Sequence, residues 1–357
     1  MVRGKGFAHC HHGEILQGVF RDENGSLCRG LVTLPLSALG THAEFLREPG
    51  TSPRTVTVTP AGRTKASRAA TLAVELCGAL GPHPPSGGHL RLRSEIPIGL
   101  GMGSSTSDIL AAVRAVASSF GVRLAPAVIA ALAVRAEQAS DPLMLPDEPL
   151  LFAQREGRVI EVLGEALPSA LVVGCTTGCG DAVDTLALPA PDFDGADLVA
   201  FERLRIALRQ AIADSDVAAL GRVSTESARL NQRVLPKAEF EVLTAIADAS
   251  GAAGVQVAHS GNVAGLLFDP YLPRLSRRLR ECVHALRDNG ITVTRIFDSG
   301  VSERKCARVR PHRGFDRPAG SGARRRTARL PAVRDDEGGL GAGRGTAPAR
   351  PGRGSSR

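Results

Sequence analysis

The chain has 357 residues, 43% of them hydrophobic and 22% charged, enough to bury a sizeable core and ordinary for a two-domain globular enzyme. Aromatic residues make up only 3%, with no Trp and one Tyr, which argues against a nucleic-acid reader that stacks bases on rings. The net charge of +8 collects in residues 302–357, where 15 Lys+Arg face 5 Asp+Glu, so residues 1–301 carry about −2.

Near the start of the chain no apolar run has the length of a signal peptide, and no stretch reaches the roughly eighteen apolar residues of a membrane span. A cytoplasmic protein is expected. Seven scattered cysteines, Cys10, Cys28, Cys77, Cys175, Cys179, Cys282 and Cys306, are read as reduced thiols.

In chain order, Leu31 to Leu36 and the alternating Thr55 to Thr59 suit strands. A helix fits Ser67 to Leu80 and stops at the Gly81-Pro82 breaker, after which His89 to Arg93 alternates as a strand that feeds a glycine-rich loop. Beyond the loop, Ile109, Leu110, Val113, Val116, Ala117 and Phe120 form one apolar stripe of a helix that Gly121 ends. A further helix is expected from Pro126 to Ser140, closed by Asp141-Pro142. A second unit follows: strand 170–173, helices 197–214, 216–231 and 237–249, strands 254–258 and 263–268, helix 272–288 and strand 291–297. Apart from its extra helices this is the order of a ferredoxin-like split unit. The fold class is therefore α+β, with an N-terminal domain over 1–165, a C-terminal ferredoxin-like domain over 166–301, and an Arg/Gly/Pro-rich tail over 302–357 whose composition predicts disorder. The abrupt change near residue 301 also fits an altered C-terminus.

The loop Pro97-Ile98-Gly99-Leu100-Gly101-Met102-Gly103-Ser104-Ser105-Thr106 lies between a strand and a helix. Glycines at alternate positions let the backbone approach a phosphate and turn amide hydrogens toward it, and the helix N-terminus adds partial positive charge. A serine hydroxyl there is a natural Mg²⁺ ligand. The segment is not a Walker A loop, since no Gly-Lys-Ser/Thr follows, and it lacks the acidic residue of the dinucleotide fingerprint.

This loop resembles the signature of the galactokinase, homoserine kinase, mevalonate kinase and phosphomevalonate kinase (GHMP) superfamily, with Met102-Gly103 inserted before the serines. With Thr106 and Asp108 it is similar to the bacterial L-threonine kinase branch, as are Gly13-Glu14-Ile15-Leu16-Gln17-Gly18 and His259-Ser260-Gly261. The resemblance implies a two-domain kinase fold with a cleft between the domains. It implies ATP held by Pro97, Gly99, Leu100, Gly101, Met102, Gly103, Ser104, Ser105 and Thr106, Mg²⁺ by Ser105 and Glu137, and transfer of the γ-phosphoryl group to a small hydroxylated metabolite, L-threonine first. Homoserine, a sugar or another secondary-metabolic alcohol is the enzymatic alternative, and a non-catalytic nucleotide-binding protein the alternative from another class.

Asp141, four residues after Glu137, is the candidate base for the substrate hydroxyl, one carboxylate with Mg²⁺ being chemically sufficient. Asp141-Pro142 reads also as a helix-ending pair, Glu137 as a solvated helix residue and His259-Ser260-Gly261 as a hairpin turn. Glu14, Gln17, His259, Ser260 and Gly261 are candidate substrate contacts. His9, His11 and His12 cluster without zinc-site spacing, so no metal is expected on them. Cys175 and Cys179 are not expected to be redox-active. Asp181 and Asp184, in a Gly-rich turn, are weaker candidates for a substrate ammonium. Neither a membrane nor a nucleic-acid partner is expected.

Overall fold

The computed structural model describes residues 2–145, 148–178 and 193–300, all within one compact unit. Its frame is a ten-stranded sheet with the path β10-β7-β9-β8-β1-β2-β4-β3. The two longest strands, β1 (Val2–Arg21) and β2 (Leu27–Arg47), pair antiparallel along nearly their whole lengths, with register shifts around His9, Cys10, His11 and Glu14. Beyond β2 lie β4 (Gly88–Ser94) and the edge strand β3 (Val56–Thr59), while β5 (Leu150–Ala153) adds to the end of β2 and pairs with β6 (Arg158–Val162).

On the other side of β1, strands β7 (Leu171–Thr176), β8 (Gly254–Val257), β9 (Val263–Phe268) and β10 (Val293–Asp298) run in the order β10-β7-β9-β8, every neighbouring pair antiparallel. That is the strand order of a ferredoxin-like unit. It meets the rest of the sheet through a single paired position between β1 and β8, Glu14 opposite Val257.

Helices α1 (Thr64–Leu80), α2 (Ser104–Ser119) and α3 (Pro126–Glu137) pack with β1, β2 and β4 around Phe45, Leu90, Leu110, Val113 and Phe120. Each fully buried Leu or Phe of this kind contributes roughly 1.5–3 kcal/mol. Helix α2 sits so close to β1 that a Cβ at Gly4 or Gly6 would lie 2.1 Å from the carbonyl oxygens of Ala115 or Ala111. Helices α4 (Gly195–Ala213) and α5 (Val217–Asn231) cover Leu16, Phe20 and Val172, and α6 (Phe240–Ser250) and α7 (Leu275–Asp288) cover Val255, Leu266 and Phe268. No described helix is long and apolar enough to cross a membrane.

Three expectations need correction. The helix expected to reach Ser140 ends at Glu137, because Gln138 takes a left-handed conformation (φ 70°) and donates its amide to the Val134 carbonyl. Helix α7 begins at Leu275 rather than 272, after the left-handed Arg274. Strand β1, with the short pair β5 and β6, is absent from the sequence-based assignment; its run of Gly, His and Cys has no period-2 contrast since much of it is buried on both faces. The proposed tail at 302–357, Cys179, Asp181, Asp184 and Cys306 lie outside the described residues.

Candidate active site

The strand β4 delivers the chain to Pro97, and the loop then reaches α2 through three glycines with positive φ: Gly99 (80°), Gly101 (80°) and Gly103 (68°). Gly103 is the N-cap of α2, and no side chain caps the first turn, which also contains no acidic residue. The amides at this helix start are therefore free of side-chain acceptors and aligned with the positive end of the helix dipole, an arrangement that suits an anion. Ser104 and Ser105 are half-buried at the rim, and Ile98 is 69% exposed on the outside.

The segment His259-Ser260-Gly261 packs directly onto this loop. The amides of Asn262 and Val263 both donate to the Leu100 carbonyl, at 3.0 and 3.1 Å. The backbones touch so closely that a Cβ on Gly101 would stand 2.4 Å from the Ser260 carbonyl oxygen, and one on Gly261 2.4 Å from the Gly101 nitrogen. Pro97, Leu100 and Met102 thus act through the backbone path they set; the Met102 side chain is buried with Cys10, Leu36 and Val263 rather than turned toward a ligand.

Thr106, in the first turn of α2, donates its hydroxyl to Asp141 Oδ2 (3.1 Å), and His11 Nε2 approaches the same oxygen at 3.2 Å. On its other side His11 Nδ1 lies 3.5 Å from Glu14 Oε1, and His259 Nδ1 lies 2.9 Å from that oxygen. Glu14 Oε2 accepts the His259 amide at 2.6 Å. The result is a buried chain of alternating charge, Asp141–His11–Glu14–His259, assembled from β1, the turn after α3, and the loop after β8. Its members His11, Glu14 and Asp141 are also arranged closely enough to hold a metal ion, but as found they neutralise one another by ion pairing.

Burial alone would lower the His11 pKa, yet the Asp141 carboxylate beside it, its hydrogen bond, and the Glu14 charge carry it up to about 9. Burial alone would raise Asp141, but the His11 charge and hydrogen bond, with His259 and Thr106, hold it down to about 2. His259 is raised despite its burial, by Glu14 first. The His11–Asp141 pair consequently exists over most of the pH scale. Its contribution to stability is complete between about pH 4 and 6.5. It falls away as pH rises through about 9, where folded His11 loses its proton, and as pH falls through about 2, where folded Asp141 gains one. Denaturant unfolding of the wild type should therefore lose a few kcal/mol, of the order that a shift of this size implies, between pH 6.5 and 9.5. In His11→Gln that part of the slope should vanish.

Glu137, at the last turn of α3, faces Ser105 and accepts a hydrogen bond from Lys65 Nζ at 2.7 Å. Burial pushes the Glu137 pKa up, and the Lys65 and Ser105 hydrogen bonds offset only part of that. Its Oε2 is buried without a hydrogen-bond partner. An orphaned carboxylate oxygen beside a serine hydroxyl fits a hard divalent cation, which prefers oxygen ligands.

The sequence-based candidates are thus partly regrouped. Asp141 is not on the helical face of Glu137, since α3 ends before it, and it arrives at α2 through the following turn. Glu14 spends both oxygens on His259. Gln17 is buried, its amide donating to Ser227 Oγ (2.9 Å) and its side chain to the Val257 carbonyl (3.4 Å), and it lines a pocket with His259. The three clustered histidines separate: His9 donates to the Ser37 carbonyl, His12 pairs with Gln256 and is lowered to about 3 by burial and by His11, and only His11 reaches the site. Cys175 is buried, with its thiol pushed up to about 12, an unreactive setting.

Lys237 was not legible in the sequence as a site residue. It is buried, donates to the Gly261 carbonyl at 2.5 Å, and is lowered to about 8 by desolvation against the attraction of Glu14 and Glu239. It clamps the loop from below, and no local pattern around Pro236-Lys237 announces this.

Residues 65–143, which contain the glycine-rich loop, Glu137 and Asp141, match the family of GHMP kinases N terminal domain. The chain is 31% identical over 179 residues to an L-threonine kinase of Citrobacter freundii and 29% identical over 178 residues to one of Salmonella typhimurium. Each match covers 50% of this chain and 61% or 59% of the relative's own length. The fold is shared with a homoserine kinase from Cytophaga hutchinsonii (TM-score 0.59, 16% identity, 84% of this chain and 95% of that one). It is shared also with a mevalonate kinase from methicillin-resistant Staphylococcus aureus (TM-score 0.53, 16% identity, 84% and 98%). Residues 65–143 thus resemble the N-terminal domain of GHMP kinases, about half of the chain is similar to L-threonine kinases, and the fold is that of the homoserine and mevalonate kinases above.

Proposed function

We propose that this protein is an ATP-dependent small-molecule kinase that transfers the γ-phosphoryl group to the hydroxyl of a small acceptor, L-threonine being the first candidate. The observation that carries this reading is the convergence of an uncapped helix N-terminus, an orphaned carboxylate oxygen on Glu137 and the Asp141 carboxylate around one loop. In this reading residues 1–165 form the ATP-binding domain and residues 166–301 the domain that brings the His259-Ser260-Gly261 loop to it.

Phosphoryl transfer demands little covalent chemistry of the protein; positioning and charge stabilisation dominate. The amides of Gly101, Gly103, Ser104 and Ser105 and the α2 dipole bind the phosphates. Ser105 and Glu137 would hold Mg²⁺, which supplies charge neutralisation on the phosphates when bound. Asp141 accepts the acceptor hydroxyl in a hydrogen bond and draws its proton as the oxygen attacks. Depressed to about 2, Asp141 is ionised throughout the physiological range. It is a weak base in the ground state, so its role is to orient the hydroxyl early and take the proton late, as a loose transition state allows. His11 positions that carboxylate and His259 closes the wall of the acceptor pocket.

Glu137→Gln is expected to raise the Mg²⁺ concentration for half-maximal activity by at least about tenfold with little change in thermal stability, because the lost charge is a metal ligand in this reading. A Mg²⁺ titration of ADP release measures it; an unchanged titration removes Glu137 from the metal site. The function itself is tested by ADP release from Mg·ATP with L-threonine, L-serine, L-homoserine and a panel of sugars. Release dependent on L-threonine establishes the reaction, and release with another acceptor reassigns the substrate. ATP binding without release in any case supports a nucleotide-binding protein without turnover.

A further inference from the structure

Beside the site lies a pocket of about 780 Å³, open mouth included, that begins at His259 and Ala139, two residues before Asp141, and extends along β2. Its polar lining consists of Arg29, Arg155, Gln17, Gln154 and Asn231 with His259. Among the described residues no Asp or Glu lines it. Arg29 is half-buried and Arg155 exposed at the mouth. Among the described residues neither guanidinium has a hydrogen-bond or ion-pair partner. They repel each other: burial and then the Arg155 charge lower the Arg29 pKa. Two neighbouring cations without a carboxylate are unfavourable in a protein that has no anion to place between them.

A separate observation points the same way. Asn231, at the end of α5, is 8% exposed, and its buried Nδ2 donor has no hydrogen-bond partner. A buried donor left unsatisfied is destabilising, so such groups in native proteins generally meet a ligand or water. The opposite wall, Leu31, Phe193, Phe201 and Val234, is apolar.

We propose that Arg29, Arg155 and Asn231 form an oxyanion subsite that binds the carboxylate of the acceptor, and that the kinase selects hydroxy acids by this charge rather than by an amino group. The inference rests on the kinase reading for the identity of the bound molecule as acceptor. Its chemistry follows from the lining: guanidinium forks match a carboxylate in shape and charge. Among the described residues of the lining, an acceptor's ammonium would find only the amide groups and the His259 ring, and its aliphatic carbons would lie on the apolar wall. Inorganic phosphate offers the same oxyanion chemistry and is the competing occupant.

The experiment compares L-threonine, L-threonine amide and (R)-3-hydroxybutyrate as acceptors in the ADP-release assay, with wild type, Arg29→Gln and Arg155→Gln. (R)-3-Hydroxybutyrate, which keeps the carboxylate and lacks the ammonium, should be used within about tenfold of L-threonine. The amide should lose about 100-fold in kcat/KM, the scale of a lost charge-assisted pair. Each Arg variant should raise the KM for the carboxylates about 10–100-fold, leaving the KM for ATP and the poor use of the amide unchanged. Equal use of amide and acid, or an acceptor KM unmoved by both variants, overturns the subsite. Arg155 is exposed, so Arg155→Gln tests the idea without threatening the fold.

If no acceptor is turned over, the kinase reading fails for this substrate class, and calorimetric titration with (R)-3-hydroxybutyrate and with inorganic phosphate still decides the subsite. Saturable binding of the carboxylate that Arg29→Gln and Arg155→Gln combined in one chain abolish upholds it. Binding of phosphate alone, or of neither, overturns it.

Discussion

Asp141→Asn is expected to lower kcat by about 10²–10⁴-fold while leaving the KM for ATP within a few-fold. The substitution removes the charge that receives the acceptor's proton in the proposed mechanism but keeps an oxygen for the Thr106 hydroxyl, 3.1 Å away in the wild type. It also strips His11 of the partner that carries its pKa to about 9. With only Glu14 left at 3.5 Å, His11 should titrate lower, and its imidazole resonance followed by NMR should move its midpoint toward neutrality. The two readouts separate the roles: His11→Gln should shift the pH profile and stability and reduce kcat less than Asp141→Asn. Turnover of Asp141→Asn at the wild-type rate would remove Asp141 from the chemistry.

The second large effect is expected from Gly101→Ala. At φ 80° any Cβ is strained, and here it would also lie 2.4 Å from the Ser260 carbonyl and 2.9 Å from Gly261 Cα. Both obstacles are backbone, so neither can turn aside as a side chain would. Left-handed strain costs about 1–2 kcal/mol and overpacking typically about 1–3 kcal/mol more. For a chain of this size a melting temperature lower by about 3–8 °C should result. In the proposed reading ATP turnover should fall further than stability accounts for, because the glycine-rich loop must lift away from the His259 loop. Ile98→Ala, in the same segment but with its side chain 69% exposed, serves as the control and should change neither quantity appreciably. A fully stable, active Gly101→Ala would show that the two loops are not in register during the reaction.

The legible part of this molecule was the part with periodicity. Helices α1, α2, α5 and α6 announce themselves by apolar spacing and by breakers such as Gly81 and Gly121, and the glycine-serine loop is readable because strand, loop and helix follow one another. The split order of the C-terminal strands could be read for the same reason. What could not be read has physical causes. Strand β1 lacks alternation because α2 presses against Gly4 and Gly6 on one side while other elements cover the rest. His11 looked like one of three equivalent histidines; only the irregular register between His9 and Glu14 turns it toward Asp141. Arg29 and Arg155 come from distant points of the chain, and their proximity depends on β5 pairing with β2 at Gly30 and Leu31. A pairing that puts two like charges together leaves no trace in local sequence.

The single β1–β8 pairing at Glu14 and Val257 makes the middle of the sheet the narrowest seam along its strand path. The residue at that seam also anchors His259, through the bond from the His259 amide to Glu14 Oε2. Backbone breathing and loop placement are therefore one coordinate: whenever the seam unzips, the His259 amide is released to solvent. Its deuterium-exchange rate should thus count seam openings directly, while neighbouring amides in the β8–β9 ladder, such as that of Ala258 bonded to Val263, stay protected.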